Sequence, residues 1–330
     1  MKLSSWLGGM FVKSMLAACI FATSVAAVIP AVAQGYPNRA IKIVVPATAG
    51  GALDLISRVL ADKTSEDLKQ PVYVENKPGA NWIIGMQAVA SAAPDGYTLL
   101  VVSGSGFSIN PHLFKNVPPI SDFTPIIAAT KGTFVLIVNP KLNVATVPEF
   151  INVLKQSPGK LNHASNSATT KLLAELFKVN AGVEFSDIGY RGASQSINDT
   201  MLGITDFSFV DYGSASSFMQ QGVVKPLAVT SLGQYELSPE IKPLSAQGFP
   251  GFAVDGGTIV FAPAQVPREI IARLNQILLK VLKSPDTNTR FRAIGQIAFG
   301  NSAEETEKNL MNEARQWADL IRDRNIKFNP

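Results

Sequence analysis

One stretch limits the fold more than any other in the sequence: residues 41–58, which read IKIVVPATAGGALDLISR. The first five residues are a β-branched run typical of a buried strand, which ends at Pro46 because proline has no N–H to donate to a sheet. Small residues follow, and Ile56, Val59 and Leu60 then recur at the spacing of one helix face. The stretch therefore predicts the first strand, loop and helix of an α/β domain.

The loop between this strand and helix is a candidate anion site. The first N–H groups of a helix lack acceptors within the helix, and the helix dipole favours negative charge there. Gly50 and Gly51 would allow a ligand to approach the backbone closely. Many such turns bind nothing, so this stretch alone leaves a structural and a binding interpretation open.

The first 33 residues have the composition of a secretory signal peptide. Lys2 and Lys13 are their only charges, an apolar stretch follows, and residues 31–33 form a cleavage site of the A-x-A type. Cys19 allows a second interpretation, a lipoprotein signal, but the apolar region between Lys13 and Cys19 is short for such a signal. We expect cleavage after Ala33 and a periplasmic protein whose mature chain has no cysteine.

Composition excludes several classes of function. Hydrophobic residues make up 46% and charged residues 16% of the chain, as in an ordinary globular protein. The formal net charge of +4 falls to +2 without Lys2 and Lys13, and the basic residues are dispersed, so nucleic acid is not an expected partner. No apolar run after the leader reaches the length needed to span a membrane. We expect the protein to be a monomer.

The sequence offers little for catalysis. His112 and His163 are its only histidines, and neither has the spacing of a metal ligand, so no metal site is predicted. Nucleophile-elbow, P-loop and dinucleotide-binding motifs are missing, and no cofactor is expected. Asp54 and Asp211 are candidates for an acid–base pair, but nothing in the sequence brings them together. A secreted enzyme acting on small acids therefore remains an alternative without a supporting motif.

Small polar loops follow predicted strands in both halves of the chain, at residues 48–51, 104–108 and 165–170. Strands alternate with helices throughout, which predicts parallel sheets with loops clustered where the strands end. Hydroxyl groups and backbone amides in such loops hold an anion with fixed dipoles and perform no covalent chemistry. Each loop alone is explained by turn chemistry, whereas their recurrence in an exported protein favours binding.

A series of short motifs runs in order from Tyr36 to the C-terminal part of the chain. It includes Tyr36-Pro37, Gly50-Gly51-x-x-Asp54, Glu75-Asn76-Lys77-Pro78-Gly79-Ala80, Pro94-Asp95-Gly96-Tyr97, Pro158-Gly159-Lys160, Tyr190-Arg191-Gly192 and Ala262-Pro263. Each motif is weak alone, but their order and spacing are specific. The chain resembles the periplasmic solute receptors of tripartite tricarboxylate transporters, the Bug or TctC-like proteins.

The resemblance implies a two-lobed α/β periplasmic binding protein, type II-like, with a ligand cleft between two domains. We expect residues 34–130 and 258–330 to form domain 1 and residues 131–257 to form domain 2. The resemblance also implies a small carboxylate ligand, membrane permease subunits as partners and no enzymatic activity. A receptor that senses its ligand for a membrane signalling kinase is a further alternative.

We expect the ligand to be held at two of the polar loops: residues 48–51, the first loop, and residues 165–170, the second loop. At the first, Thr48 and the amides of Ala49 and Gly50 would donate to the anion, and Asp54 would orient the loop, because its charge would repel a carboxylate. At the other loop the candidate ligand contacts are Ser165, Asn166, Ser167, Ala168 and Thr169. Asp211 would bind a ligand ammonium or hydroxyl group, or else cap a helix.

Two aromatic residues bear on the type of ligand. Trp82 stands where the resembling family commonly has glycine, and Phe107 follows a glycine-rich strand end. Either ring could stack on a ring-bearing carboxylate, a contact worth about 0.5–1.5 kcal/mol beyond burial. The alternative is that Trp82 fills core volume. We therefore expect an aliphatic or an aromatic carboxylate, with the choice left open.

Overall fold

The computed structural model describes residues 35–254 and 256–323, so the predicted signal peptide and Cys19 lie outside the described residues. From Arg39 onwards the chain forms two five-stranded sheets and one two-stranded sheet. Within the described part of the chain, no helix is both long enough and apolar enough to cross a membrane.

Five strands form each of the two larger sheets. The strands of the first sheet are β1 (Ile41–Val45), β2 (Val72–Asn76), β3 (Thr98–Ser103), β4 (Phe123–Ala128) and β11 (Thr258–Pro263), in the order β2-β1-β3-β11-β4. Those of the second sheet are β6 (Phe134–Val138), β7 (Asn162–Ser165), β8 (Ser186–Gly189), β9 (Phe207–Asp211) and β10 (Lys225–Val229), in the order β10-β6-β9-β7-β8. The short strands β5 (Thr130–Lys131) and β12 (Ile297–Ala298) pair with each other.

Helices connect most of these strands. They are α1 (Ala52–Leu68), α2 (Ile83–Ala90), α3 (Ser105–Ser108), α4 (Asn110–Leu113), α5 (Val147–Gln156), α6 (Ala168–Ala181), α7 (Ala193–Leu202), α8 (Tyr212–Gln220), α9 (Arg268–Leu282), α10 (Pro285–Ala293) and α11 (Ala303–Asp323). Thr146 caps α5, because its Oγ1 accepts the Glu149 N–H at 3.3 Å, whereas the Glu149 carboxylate accepts the Ala145 N–H at 2.6 Å and does not complete a capping box. At α11 the Glu305 N–H likewise donates to Ser302 Oγ at 3.1 Å.

The two sheets are mixed, which corrects the prediction of parallel sheets. Strand β1 runs parallel to β2 and β3, and β7 runs parallel to β8 and β9. Strand β11 is antiparallel to β3 and β4, and β6 is antiparallel to β9 and β10. The physical reason lies in the connections between the sheets. A chain that enters a sheet at the edge where its parallel strands end must run in the opposite direction.

This connection places the polar loops beside the segments that join the two sheets. In the first sheet Thr258, which begins β11, lies opposite Ser103, the last residue of β3. In the second sheet Phe134, which begins β6, lies opposite Asp211, the last residue of β9. In each sheet, the loops that follow the parallel strands therefore lie at the end of the strands where the chain crosses to the other sheet.

Each sheet has its own hydrophobic core, and α11 contributes to both. The core of the first sheet contains Val44, Phe261 and, from α11, Leu310. The core of the second sheet contains Phe177 and, two turns further along α11, Trp317. Because Leu310 is buried in one core and Trp317 in the other, α11 packs against both sheets.

Candidate functional site

The first loop together with its base spans residues 46–51, and one buried carboxylate organises it. Asp54 lies in the first turn of α1 and is 1% exposed. Its Oδ2 accepts the Gly50 N–H at 2.8 Å and the Arg58 Nε–H at 2.9 Å, and its Oδ1 accepts a hydrogen from Asn76 Nδ2 at 2.9 Å. Asp54 thereby joins the loop, its own helix and the end of β2.

The Asp54 carboxylate is held in its charged form. Burial raises its pKa, but the hydrogen bonds from Arg58, Gly50 and Asn76 and the charge of Arg58 outweigh burial, so the pKa lies below its usual value. Because all three hydrogen bonds are internal, this anion shapes the loop from beneath. The arrangement agrees with the loop-orienting role that the sequence suggested for Asp54.

The tip of the first loop is open to solvent. Thr48, Ala49 and Gly50 are exposed, and Asn76 fixes the base of the loop by donating to Ala47 O at 3.0 Å. Gly50 has a φ of 82°, a conformation that glycine adopts without strain. Its N–H already donates to Asp54, which corrects the prediction of that amide as a ligand donor. The Thr48 hydroxyl and the Ala49 amide are the predicted donors that remain.

The second loop, residues 165–170, is closed by a capping box. Ser167 caps α6, and its Oγ accepts the Thr170 N–H at 3.2 Å. Thr170 Oγ1 in turn accepts the N–H groups of Asn166 at 2.9 Å and Ser167 at 3.0 Å. The Asn166 side chain donates to Ser196 Oγ at 3.2 Å. Much of the polarity of this loop is therefore used to hold the loop itself.

A buried histidine and an aspartate lie beneath the second loop. The Phe209 N–H donates to His163 Nε2 at 3.1 Å, so the proton of the neutral ring lies on Nδ1 and is donated to Asp187 Oδ1 at 2.7 Å. The Ser165 hydroxyl donates to the other oxygen of Asp187 at 2.9 Å. The Ser165 hydroxyl thus donates its proton to Asp187. This corrects the prediction that Ser165 donates to the carboxylate of the ligand.

These groups do not form a nucleophile and a base. Burial lowers the pKa of His163 more than Asp187 raises it, so the imidazole is neutral. Burial raises the pKa of Asp187, but the hydrogen bonds from His163 and Ser165 and the charge of Lys171 lower it below its usual value. Both imidazole nitrogens have partners, and the Ser165 hydroxyl contacts the carboxylate instead of the imidazole. The group is therefore a structural support.

The N-terminus of α6 leaves the second loop with two backbone donors. Ala168 and Thr169 occupy the first two positions of this 14-residue helix, where N–H groups have no acceptor within the helix. Ala168 is partly exposed, whereas Thr169, backbone included, is 2% exposed. Of the five residues predicted in this loop, Ala168 therefore has the accessible amide for an anion.

Asp211 caps α8, as its structural alternative predicted. Its Oδ1 accepts the Ser214 N–H at 2.9 Å. Asp54 lies in α1, which packs on the first sheet, and Asp211 ends β9 of the second sheet; each accepts a hydrogen bond from its own backbone N–H partner. No group of three or more His, Cys, Asp or Glu residues suited to a metal ion occurs in residues 35–254 and 256–323.

The two predicted aromatic contacts differ in their surroundings. Phe107 is 5% exposed, and its ring packs against Phe123 and Phe261 with centroids 4.9 and 4.7 Å apart. This packing leaves Phe107 no face for a ligand, which corrects the prediction. Trp82 is partly exposed and packs on the core of the first sheet, where a Cβ added to Gly106 would lie 3.5 Å from its Cε3.

Sequence reasoning missed the residues that support the loops. The i,i+4 spacing of Asp54 and Arg58 is a signal for a helix ion pair that could have identified Arg58. Asn76 and Asp187 act over 22 and 24 residues of sequence, and no local pattern announces them. No sequence motif marks His163. Its burial is explained by the hydrogen bonds at its two ring nitrogens.

A separate cavity of about 1200 Å³ lies beside the crossing segments. Its lining includes Gly132, Ser231, Phe249, Phe299 and Trp317. None of the residues predicted from the sequence as ligand contacts lines it. The cavity is thus distinct from both polar loops.

Comparisons with known proteins agree on one family. A family model described as tripartite tricarboxylate transporter family receptor matches residues 56–326. Protein BugT of Bordetella pertussis is 30% identical over 316 residues, covering 94% of this chain and 96% of BugT. A structure of an R. palustris protein with adipate is 27% identical with a TM-score of 0.81, covering 88% of this chain and 99% of that one. The periplasmic binding protein BugD is 28% identical with a TM-score of 0.79 and the same coverage, so the chain shares the two-lobed fold of such proteins.

Proposed function

Because the chain belongs to the tripartite tricarboxylate transporter receptor family, which comprises solute-binding proteins and not enzymes, we propose that it captures a small carboxylate between its two sheets and delivers it to the permease subunits of such a transporter. The observation that carries the proposal is the exposed tip of the first loop above the buried Asp54 anion. The carboxylate of Asp54 fixes the backbone of this loop in advance, so little entropy is lost when a ligand binds.

At the first loop, one carboxylate accepts hydrogen bonds from the Thr48 hydroxyl and the Ala49 amide. Both residues are exposed and precede α1, a helix of 17 residues whose N-terminus favours negative charge. Asp54 does not repel the ligand strongly, because its charge is neutralised by Arg58 at 2.9 Å.

At the second loop, the amide of Ala168 receives the other end of the ligand. The relative from R. palustris has a structure with adipate, a linear dicarboxylate. A ligand with two carboxylates would use one loop of each sheet, because both loops lie at the edges where the chain crosses. Ligand binding to both sheets would favour a closed arrangement of the two lobes.

The domain limits and the processing belong to the same proposal. Residues 34–130 and 258–330 form one domain and residues 131–257 the other, in agreement with β1–β4 and β11 in one sheet and β6–β10 in the other. BugD is a periplasmic binding protein, which supports a periplasmic location for this chain. Cleavage follows Ala33, and the receptor acts as a monomer.

A ring-bearing carboxylate is the second candidate ligand, and Trp82 favours it. The Trp82 indole is partly exposed and packs on the core of the first sheet, beside Gly106. A stacked ring would add about 0.5–1.5 kcal/mol to the binding free energy beyond simple burial.

A thermal-shift screen of the purified mature protein tests the proposal. The panel contains linear dicarboxylates and benzoate-type acids, and isothermal titration calorimetry follows for each acid that stabilises the protein. At 100 times its dissociation constant, the correct ligand should add about 2.7 kcal/mol to the free energy of unfolding. We expect saturable binding without turnover. Failure of every carboxylate to stabilise the protein, or formation of a product, would contradict the proposal.

A pair of threonine variants locates the binding. Thr48→Val removes the exposed hydroxyl of the first loop and should weaken binding at least fivefold, because a hydrogen bond to a charged group contributes about 1.5–3 kcal/mol. Thr289→Val removes an exposed hydroxyl on α10 and is the matched control, with no expected change in affinity.

A further inference from the structure

Three consecutive residues before α2 adopt a backbone conformation that L-amino acids rarely take. Ala80, Asn81 and Trp82 have φ angles of 47°, 50° and 77°, and Gly79 before them has a φ of 127°. A left-handed conformation costs roughly 1–2 kcal/mol for a residue with a side chain, and a bulky residue there is a clear outlier. The strained turn, residues 79–82, therefore needs support from the rest of the structure.

Asn110 supplies that support. This residue is 1% exposed, and its Nδ2 donates to the carbonyl oxygen of Asn81 at 2.8 Å. The contact joins the middle of the strained turn to α4, 29 residues further along the chain. Strained backbone persists only where the surroundings determine it, and such segments cluster at functional sites.

The strained turn lies between two of the polar loops. Helix α2, which follows it, packs closely on the first loop, because a Cβ added to Gly85 would lie 2.7 Å from the Cβ of Pro46. On the other side, the Trp82 ring packs over Gly106 in α3. The turn thus carries a partly exposed indole and leads directly into the helix that packs on the first loop.

The backbone conformation of Trp82 is energetically unfavourable for a residue with a large side chain. Glycine would adopt a φ of 77° without strain, whereas Trp82 bears the cost of a left-handed backbone conformation. Packing on the core accounts for the buried part of the ring. The exposed part is available to a ligand.

We propose that Asn110 is a positioning residue for ligand recognition. By holding the strained turn, it fixes the Trp82 indole as an apolar wall beside the first loop, and it thereby sets the affinity for carboxylates that carry a ring. This inference rests on the proposed function of the first loop. It predicts that Asn110 affects ligands with a ring and has little effect on linear ones.

The test compares two ligands on two proteins. Isothermal titration calorimetry measures a benzoate-type acid and a linear dicarboxylate on the wild type and on Asn110→Ala. The variant should bind the benzoate-type acid about three- to tenfold more weakly, which is the range expected for loss of a stacked ring, and should bind the dicarboxylate with less than a twofold change. An equal loss for both ligands, or no loss, would overturn the inference.

A double-mutant cycle keeps the test decisive. Trp82→Leu retains an apolar side chain without the ring, and should weaken the benzoate-type acid by a similar factor. Since Asn110 acts through Trp82, the effects of the two variants should not add; additive effects would refute the positioning role. Gln87→Ala removes an exposed side chain of α2 that donates to Asn116 O, and is the control expected to change neither ligand.

Fluorescence provides a readout that does not depend on affinity. In a Trp317→Phe background, Trp82 is the tryptophan reporter among the described residues. Asn110→Ala should shift its emission to longer wavelength, because the indole is released to solvent, and an unchanged spectrum would contradict the inference. If the wild type binds dicarboxylates but no ring-bearing acid, this inference fails and the proposed function stands. If it binds no carboxylate at all, both fail.

Discussion

The first and second loops have similar compositions and opposite uses of their polar groups. In the first loop, Thr48 and Ala49 are exposed, and the supporting charge of Asp54 lies underneath. In the second, Thr170 is fully buried and accepts two backbone N–H groups, while Ser165 donates to Asp187. A hydroxyl-rich sequence therefore does not by itself identify ligand donors. What matters is whether each proton already has an acceptor.

The supports beneath the loops also differ in charge. Asp54 is an anion paired with Arg58, whose side chain is 52% exposed. His163 is neutral, wholly buried and bonded at both nitrogens. The first loop should thus respond to the loss of a charge, and the second to the loss of buried hydrogen bonds.

Replacement of His163 should give the largest loss of stability. In His163→Phe the ring volume is kept, but the Phe209 N–H is left buried without an acceptor and Asp187 loses a donor. At about 1–3 kcal/mol for an unsatisfied buried group, we expect a loss of about 2–4 kcal/mol in urea unfolding at pH 8. His112→Phe, at an exposed position of α4, is the control and should change stability by about 0.5 kcal/mol or less. A loss below about 1 kcal/mol at position 163 would mean that these bonds contribute little.

The pH dependence of stability should separate the two loops. The pKa of buried His163 lies below its usual 6.5, so the unfolded chain takes up a proton first as the pH falls. Its contribution is complete above about pH 6.5 and is lost below it, by up to about 1.4 kcal/mol per pH unit. The lowered pKa of Asp54 adds stability that is present above about pH 4 and is lost only as the pH falls below that value.

Urea unfolding between pH 7.5 and 4.5 measures this effect. Partial desolvation also lowers the pKa of His112, although the residue is exposed, so the comparison uses His112→Phe as the reference. The reference should lose stability over this range, and the double variant with His163→Phe should lose much less. Equal slopes for the two proteins would show that His163 titrates normally in the folded state.

Removal of the Asp54 charge should have a smaller effect on stability and a larger one on binding. Asp54→Asn keeps the shape but weakens the hydrogen bonds from Gly50, Arg58 and Asn76, at an expected cost of about 2 kcal/mol. Carboxylate affinity should fall at least tenfold, because the loop loses its fixed conformation. Asp62→Asn is the control. Asp62 also lies on α1, and its exposed ion pair with Arg290 of α10 is lost in the variant, which should cost at most about 1 kcal/mol of stability without a change in affinity.

Variants of Asp211 should show the smallest effect. Asp211→Ala removes the cap of α8 and should cost about 1 kcal/mol, whereas Asp211→Asn keeps a capping oxygen and should be nearly neutral. Thermal unfolding measures both variants. If Asp211→Asn weakened ligand binding without a loss of stability, Asp211 would contact the ligand in addition to its role as a cap.

Local patterns in the sequence predicted the elements whose causes are local. The β-branched run predicts β1 at its observed limits. Strand β7 is not recognisable from its sequence, because Asn162 and His163 are not typical strand residues. His163 belongs to a strand only because Asp187 and the Phe209 amide satisfy its nitrogens.

The directions of the strands and the burial of single side chains depend on distant contacts. The alternation of strands and helices does not show that the chain crosses between sheets before β6 and β11, which reverses both strands. Trp82 and Phe107 were equivalent in the sequence, and only the packing of Phe123 and Phe261 makes Phe107 a core residue.

The central claim is that each of the two loops holds one carboxylate of the ligand, and one calorimetric measurement tests it directly. A linear dicarboxylate is titrated into the wild type, Thr48→Val and Ala168→Pro, of which the last removes one N–H at the first position of α6, where proline is tolerated. Each variant should bind at least fivefold more weakly, since each loses a hydrogen bond to a charged group. Unchanged affinity in either variant would contradict the account.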